Sequence, residues 1–158
     1  MSNRIRPCLW FDGQAEEAIN HYISIFKDGR ITSATRCGDA GPGPKGSVLV
    51  ATFELMGSPY IAINGGPLYK FTEAISLSVD CGSQDEVDAY WSGLSAGGSE
   101  GRCGWLKDKF GLSWQIVPTR LPQLLQHADP ATAGRVMKAM LQMSKIEIAK
   151  LEAAAAGT

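Results

Sequence analysis

An internal repeat of long period constrains this chain more than any other feature. Leu9, Phe11 and Asp12 recur 68 residues later as Leu77, Val79 and Asp80, and the same ungapped offset carries Ile19, Tyr22, Phe26 and Gly29 onto Val87, Tyr90, Leu94 and Gly97. That period exceeds the roughly 20–50 residues of solenoid repeats, so it marks a duplicated unit rather than an array. Each copy opens with a strand and then a helix. Residues 5–11 are rich in strand formers and close at Asp12-Gly13. Residues 14–26 then place Ala15, Ala18, Ile19, Tyr22, Ile23 and Phe26 at helical spacing, with Lys27-Asp28-Gly29 as a stop. In the second copy Ile75, Leu77 and Val79 alternate with Ala74, Ser76 and Ser78. Ser83-Gln84-Asp85-Glu86 is a capping box ahead of a helix carrying Val87, Tyr90, Trp91 and Leu94.

Three strands complete each copy. In the first they are predicted at 30–36, 48–56 and 59–64, the last two joined by a tight turn at Gly57-Ser58. The Gly- and Pro-dense segment 38–46 cannot propagate helix or ladder and reads as a loop. In the second copy they are predicted at 99–103, 105–108 and 113–117, ended by Pro118. The fold class is therefore α+β: a single domain, 1–158, of two β-α-β-β-β modules at 4–66 and 72–118, with a helical tail at 119–155. Asp129-Pro130 starts one tail helix and Ser144-Lys145-Ile146-Glu147 reads as a capping box for another. The tail's apolar positions Val136, Met140, Met143, Ile148 and Leu151 need a surface to bury them, and a second subunit is the expected one.

Charge and cysteine usage narrow the partners. Fifteen Lys and Arg against 16 Asp and Glu leave a net charge of −1, which offers no field to recruit nucleic acid or an anionic membrane. No apolar run approaches the roughly 18 residues of a membrane span, and residues 1–7 show no secretion signal, so a cytoplasmic protein is expected. Cys8, Cys37, Cys81 and Cys103 stand far apart with no C-x-x-C pair, and His21 and His127 are the only histidines. Reduced thiols and no zinc site follow.

The stretches CLWFDGQAEEAINHYISIF at 8–26, INGGP at 63–67, CGWLKDKFGLSWQIVP at 103–118 and VMKAMLQMSKIEIAKLE at 136–152 resemble the PhnB-like branch of the vicinal oxygen chelate (glyoxalase/bleomycin resistance/dioxygenase) superfamily. Members of this branch are often named demethylubiquinone 3-methyltransferase-like. The resemblance implies that each module forms a curled mixed sheet, that paired modules enclose a concave pocket, and that the protein is a homodimer. It also implies where a metal would bind in the metal-dependent enzymes, on the first and last strands of each module. Those positions are occupied here by Arg6, Ile61, Ala74 and Gln115. Divalent ions want imidazole, carboxylate or thiolate, so this set implies that the usual metal site is lost. No nucleotide-type cofactor is expected, because the prolines of Gly41-Pro42-Gly43-Pro44 remove the N–H donors that a phosphate loop supplies.

Strand alternation then selects the pocket. If Leu9 and Phe11 pack under the first helix, Arg6, Cys8 and Trp10 turn to the concave face, as do Ala74, Ser76 and Ser78 in the second copy. Ser113 and Gln115 join them, Asn64 stands at the rim, and Trp105 is a further wall. Arg6 either meets a carboxylate or anchors an anionic ligand. For Trp10 a stacking wall and ordinary core packing stay open, and Cys8 reads as a small buried hydrophobe. Asp108 is expected to be structural, in a solvated approach to a hairpin. The sequence thus points to a metal-free, small-molecule-binding protein. The alternative is an enzyme of the same fold, either a metal-dependent lyase or dioxygenase or a methyltransferase.

Overall fold

The computed structural model describes residues 4–158. The chain divides into two compact units, the first ending at Phe71 and the second spanning Thr72–Thr158. The described residues form two four-stranded mixed sheets and five helices, an α+β fold in which neither sheet closes into a barrel.

The first unit runs β1 (Cys8–Phe11), α1 (Ala15–Phe26), β2 (Gly29–Arg36), β3 (Val48–Leu55) and β4 (Ser58–Asn64), with sheet order β1-β4-β3-β2. β1 lies parallel to β4, and the other pairs are antiparallel. Pro7 cannot donate to a ladder, so pairing begins at Cys8 and not at Ile5, while the Pro7 carbonyl still accepts from Ile61 N at 2.9 Å. The helix buries Ala18, Ile19, Tyr22 and Phe26, and the sheet answers with every second residue of β3, namely Ala51, Phe53 and Leu55, together with Ala62 of β4. Burying a side chain such as Phe53 contributes about 1.5–3 kcal/mol. The β3–β4 hairpin turns at Met56-Gly57, one residue earlier than the sequence suggests. Both residues have positive φ (48° and 80°), as the type I′ turn that matches strand twist requires.

The second unit runs β5 (Ser76–Cys81), α2 (Gln84–Ser95), β6 (Ser99–Glu100), β7 (Trp105–Lys107) and β8 (Ser113–Pro118), with order β5-β8-β7-β6 and β5 parallel to β8. β5 starts at Ser76; residues 73–75 form a turn and Ile75 is 57% exposed, so the alternation beginning at Ala74 runs ahead of the strand. The capping box forms as read: Ser83 Oγ accepts from Glu86 N at 3.2 Å, and the Glu86 carboxylate reaches back to Gly82 N at 2.7 Å. Val87, Trp91 and Leu94 are the buried residues of α2, so Trp91 fills the place that the repeat assigns to Tyr90.

The tail forms α3 (Arg120–Leu125), α4 (Pro130–Met140) and α5 (Ile148–Ala156). Asp129 caps α4 by accepting from Ala131 N and Thr132 N. The capping box expected at Ser144 does not form. Glu147 is itself the residue before α5, and the Ile148 amide is capped from a distance by Gln84 Oε1 at 2.8 Å. The chain there is already fixed by Cys103 N and Gly104 N, which donate to the carbonyls of Met143 and Ser144. Leu121, Leu124, Val136, Met143, Ile146 and Leu151 bury one another, with Met140 half-buried against them. Val136, Met143 and Leu151 are thus covered within their own unit, while Met137 and Leu141 stay exposed (42% and 50%). Among the described residues, no helix is long and apolar enough to cross a membrane.

Candidate functional site

On the face of the first sheet turned away from α1, register aligns Cys8, Ile61 and Thr52 in one row and Trp10, Ile63 and Val50 in the next. Arg6 lies just ahead of β1 and is exposed. Cys8 is exposed too, which corrects its reading as a buried hydrophobe, and desolvation by its neighbours pushes its thiol pKa up, away from an activated thiolate. Burial raises the Cys81 thiol to about 12, with the Glu86 and Asp80 carboxylates adding to the effect. Trp10 is clasped by the segment after β4. Its Nε1 donates to Gly66 O at 2.9 Å, and Tyr69 meets it edge-on at 4.9 Å. A Cβ at Gly65 would lie 2.3 Å from the indole, so this position accepts only glycine. Asn64 is committed to structure: Oδ1 accepts from Ala15 N at 2.9 Å, capping α1, and Nδ2 donates to Val48 O at 2.8 Å. It replaces Gln14, whose side chain makes no capping bond.

Beside this frame, wholly within the first unit, lies a cavity of about 600 Å³. Its walls include Val48, Val50, Ile63 and the prolines Pro42 and Pro44, and Asp12 is the one charged residue among them. The 38–46 segment covers it. Hydrogen bonds between Cys37 and Ser47 and between Gly46 and Cys37, each 2.8 Å, close that loop at its base. Arg36 then ties the base to α1 through a bidentate pair with Glu16 at 2.6 and 3.0 Å, and the pair holds the Glu16 carboxyl below its ordinary pKa. Sequence reading found the loop but gave it no role. Its signal is the two prolines, which fix φ in a segment flanked by paired strands.

In the second unit, register builds a polar row across all four strands on the face turned away from α2: Ser99, Lys107, Ser113 and Ser76. The adjacent row is Trp105, Gln115 and Ser78. Gln115 Nε2 donates to Ser76 Oγ at 2.9 Å. The eight residues expected to line the pocket thus fall four and four: Arg6, Cys8, Trp10 and Asn64 in the first unit, and Ser76, Ser78, Trp105 and Gln115 in the second. Asp108 is structural, but it is not solvated. It is 2% exposed and accepts from Phe110 N at 2.8 Å, Leu112 N at 3.0 Å and Trp114 Nε1 at 2.9 Å. Three donors satisfy the carboxylate inside the hairpin that it shapes.

The ladders also test the metal positions. Trp10 and Ser78 are equivalent by the repeat; Trp10 pairs with Ile63 and Ser78 with Gln115. The first-unit counterpart of Gln115 is therefore Ile63 and not Ile61, because the two last strands differ in their distance from the preceding turn. With that one change the set is Arg6, Ile63, Ala74 and Gln115, a guanidinium, two hydrocarbon side chains and one amide; Arg6 and Ala74 lie ahead of β1 and β5, outside the ladders. No imidazole, carboxylate or thiolate stands at these positions, so the residues do not fit a divalent ion. Among the described residues, no group of three or more His, Cys, Asp or Glu could hold one elsewhere.

Comparison with known proteins places the chain. A family model described as 3-demethylubiquinone-9 3-methyltransferase matches residues 3–117. The structure of a Bacillus cereus protein that carries this name and the name PhnB is similar at 36% identity with a TM-score of 0.70, covering 74% of this chain and 100% of that one. A Pseudomonas aeruginosa structure (22% identity, TM-score 0.62, 74% and 98% covered) shares the fold. So does the fosfomycin resistance protein FosX of Listeria monocytogenes (16% identity, TM-score 0.58, 80% and 99% covered), whose structure holds Mn(II) and 1S,2S-dihydroxypropylphosphonic acid. No curated protein matches the chain. The matched span and the 36% identity over the whole Bacillus protein show that the chain belongs to the 3-demethylubiquinone-9 3-methyltransferase, or PhnB-like, family.

Proposed function

We propose that this chain is a cytoplasmic, homodimeric protein that binds a small organic molecule without a metal ion. The observation that carries the reading is the cavity of about 600 Å³ in the first unit. That size lies within the roughly 300–1,000 Å³ of ligand pockets, and its walls are apolar with few polar groups, as such pockets usually are. Support for metal independence comes from the four family ligand positions, occupied by Arg6, Ile63, Ala74 and Gln115. Of the eight residues expected in the pocket Asn64 alone lines this cavity, so Arg6, exposed ahead of β1, and Trp10 are proposed as an anion anchor and a wall outside its lining.

The family's methyltransferase name does not carry over as an activity. A nucleotide-type cofactor normally sits on a Gly-rich strand-to-helix turn at the edge of a parallel sheet. Here the turns after β1 and β5 are short, and each sheet has only one parallel pair. The dimer is supported by β2, an eight-residue edge strand that is exposed from Arg30 to Arg36, since long open edges are normally paired or covered.

A thermal-shift screen of the purified protein, with metal analysis of material prepared without chelators, tests the proposal. Stabilisation by an organic compound at no more than trace metal is expected. A stoichiometric divalent ion would overturn metal independence, and a monomeric mass by light scattering would remove the dimer.

A further inference from the structure

The polar row on the second sheet contains one group whose hydrogen-bonding capacity is unused. Ser113 is 1% exposed, its hydroxyl has no hydrogen-bond partner among the described residues, and it lines a small cavity of about 180 Å³ with Ser99, Trp105, Lys107 and Glu73. A buried hydroxyl without a protein partner is uncommon. Beside it in the register stands Lys107, and on its other side Ser76, whose Oγ accepts from Gln115 and so keeps its own proton to donate. Lys107 and Ser113 thus line the same cavity on one face of the sheet, with Ser76 next to Ser113 in the register, a donor-rich arrangement that suits an oxyanion.

Lys107 already holds a carboxylate, that of Glu73, through a close ion pair. Glu73 comes from the turn ahead of β5, and both partners are largely exposed (43% and 62%), so the pair opens without disturbing the core. Glu100 also borders the cavity, but its carboxylate accepts from Trp91 Nε1 at 2.9 Å, and its register with Leu106 puts it on the helix side of the sheet.

The geometry points to an oxyanion-binding site at Lys107 and Ser113, with Ser76 next to Ser113 in the ladder; in the ligand-free chain the protein's own Glu73 carboxylate holds Lys107 but leaves Ser113 unpartnered. The cavity is below the size of whole-ligand pockets and fits a carboxylate, phosphate or phosphonate group, either free or as the end of a larger molecule. Glu73 then acts as a built-in competitor that sets the threshold for occupancy. The inference does not rest on the cavity of the first unit.

Titration calorimetry of the full chain with inorganic phosphate, acetate and methylphosphonate tests it. Glu73→Gln removes the competitor and is expected to tighten anion binding roughly two- to fivefold, the weight of one partly exposed ion pair. In that background Lys107→Met should weaken binding by about tenfold or more, and Ser113→Ala by about threefold. Preference among the three probes separates a carboxylate from a phosphoryl ligand. Binding that is no tighter in Glu73→Gln, or that survives Lys107→Met, overturns the site. Glu73 and Lys107 are exposed enough for both variants to fold, and circular dichroism checks this.

Discussion

The two units share one order of elements, yet they reach stability by different routes. After the helix, the first unit uses strands of eight, eight and seven residues; the second uses two, three and six. Short strands forfeit ladder hydrogen bonds, and the second unit offsets the loss in two ways. Asp108 gathers three donors around the β7–β8 hairpin, and the tail adds a separate apolar cluster with Ile146 and Leu151 fully buried. The first unit has neither device. Its long sheet supports itself, which leaves an open edge at β2 and room for a cavity under the 38–46 loop. Duplication of topology has not duplicated the energetics, and the candidate ligand cavity of about 600 Å³ lies in the unit without the helical tail.

If this contrast is correct, the largest effect comes from Asp108. Asp108→Ala strands one buried amide, one half-buried amide and one buried indole N–H and should destabilise the protein by roughly 3–4 kcal/mol, measured by urea unfolding. A loss below about 1 kcal/mol would break the comparison at its centre. Next is the tail. Ile146→Ala opens a void in the α3–α5 cluster and should cost about 2–4 kcal/mol, while amides of the first unit keep their exchange protection. Equal loss of protection in both units would show that the two cores melt as one.

Much of this was legible in the sequence, because apolar periodicity and turn chemistry act locally. Phe11, Ile19 and Phe26 and their repeats Val79, Val87 and Leu94 are buried as the 68-residue offset implies, whereas Leu9 is buried and its repeat Leu77 only half-buried. The Asp129 cap and the Ser83–Glu86 box depend on neighbours within four residues and form as read. What failed depends on partners far along the chain. Gln84, 64 residues away, caps Ile148 and displaces the local Ser144 signal. Strand register, invisible in one sequence, moved the metal-equivalent position from Ile61 to Ile63. Lys107 is an ordinary charged residue in sequence; only the ladder sets it beside Ser113.

Asn64 sharpens the contrast from the other side, since it is the first unit's nearest analogue of Asp108. Asn64→Leu abolishes the cap on Ala15 N and frees Val48 O, at a cost of about 1–3 kcal/mol. Loss of amide protection should be confined to α1 and β3. If α2 and β8 lost protection equally, the units would not respond as separate bodies.

Acid should give the smallest effect, again unequal between the units. Four carboxyls of the second unit are held below their ordinary pKa: Glu73 by its hydrogen bond from Lys107, Asp88 by that from Lys145, Asp129 by that from the Thr132 hydroxyl, and Glu152 by that from Arg120. In the first unit Glu16, held by Arg36, is the one such group among the described residues. A carboxyl whose folded pKa is depressed contributes stability that is present above its unfolded pKa and is lost as pH falls through the folded one. The window therefore lies below roughly pH 4, and the sign is destabilisation on acidification. All five groups are solvent-exposed at the surface, so each contribution is small and weakened further by salt. Because Lys145–Asp88 and Arg120–Glu152 fasten the tail, the opening free energies of amides in 143–152 should fall more between pH 5 and 3 than those in 16–36. Hydrogen exchange at low ionic strength, corrected for the intrinsic rate at each pH, measures this. An equal fall in the two segments would mean that these surface pairs do not distinguish the units, and the asymmetry would rest on Asp108 and the buried tail alone.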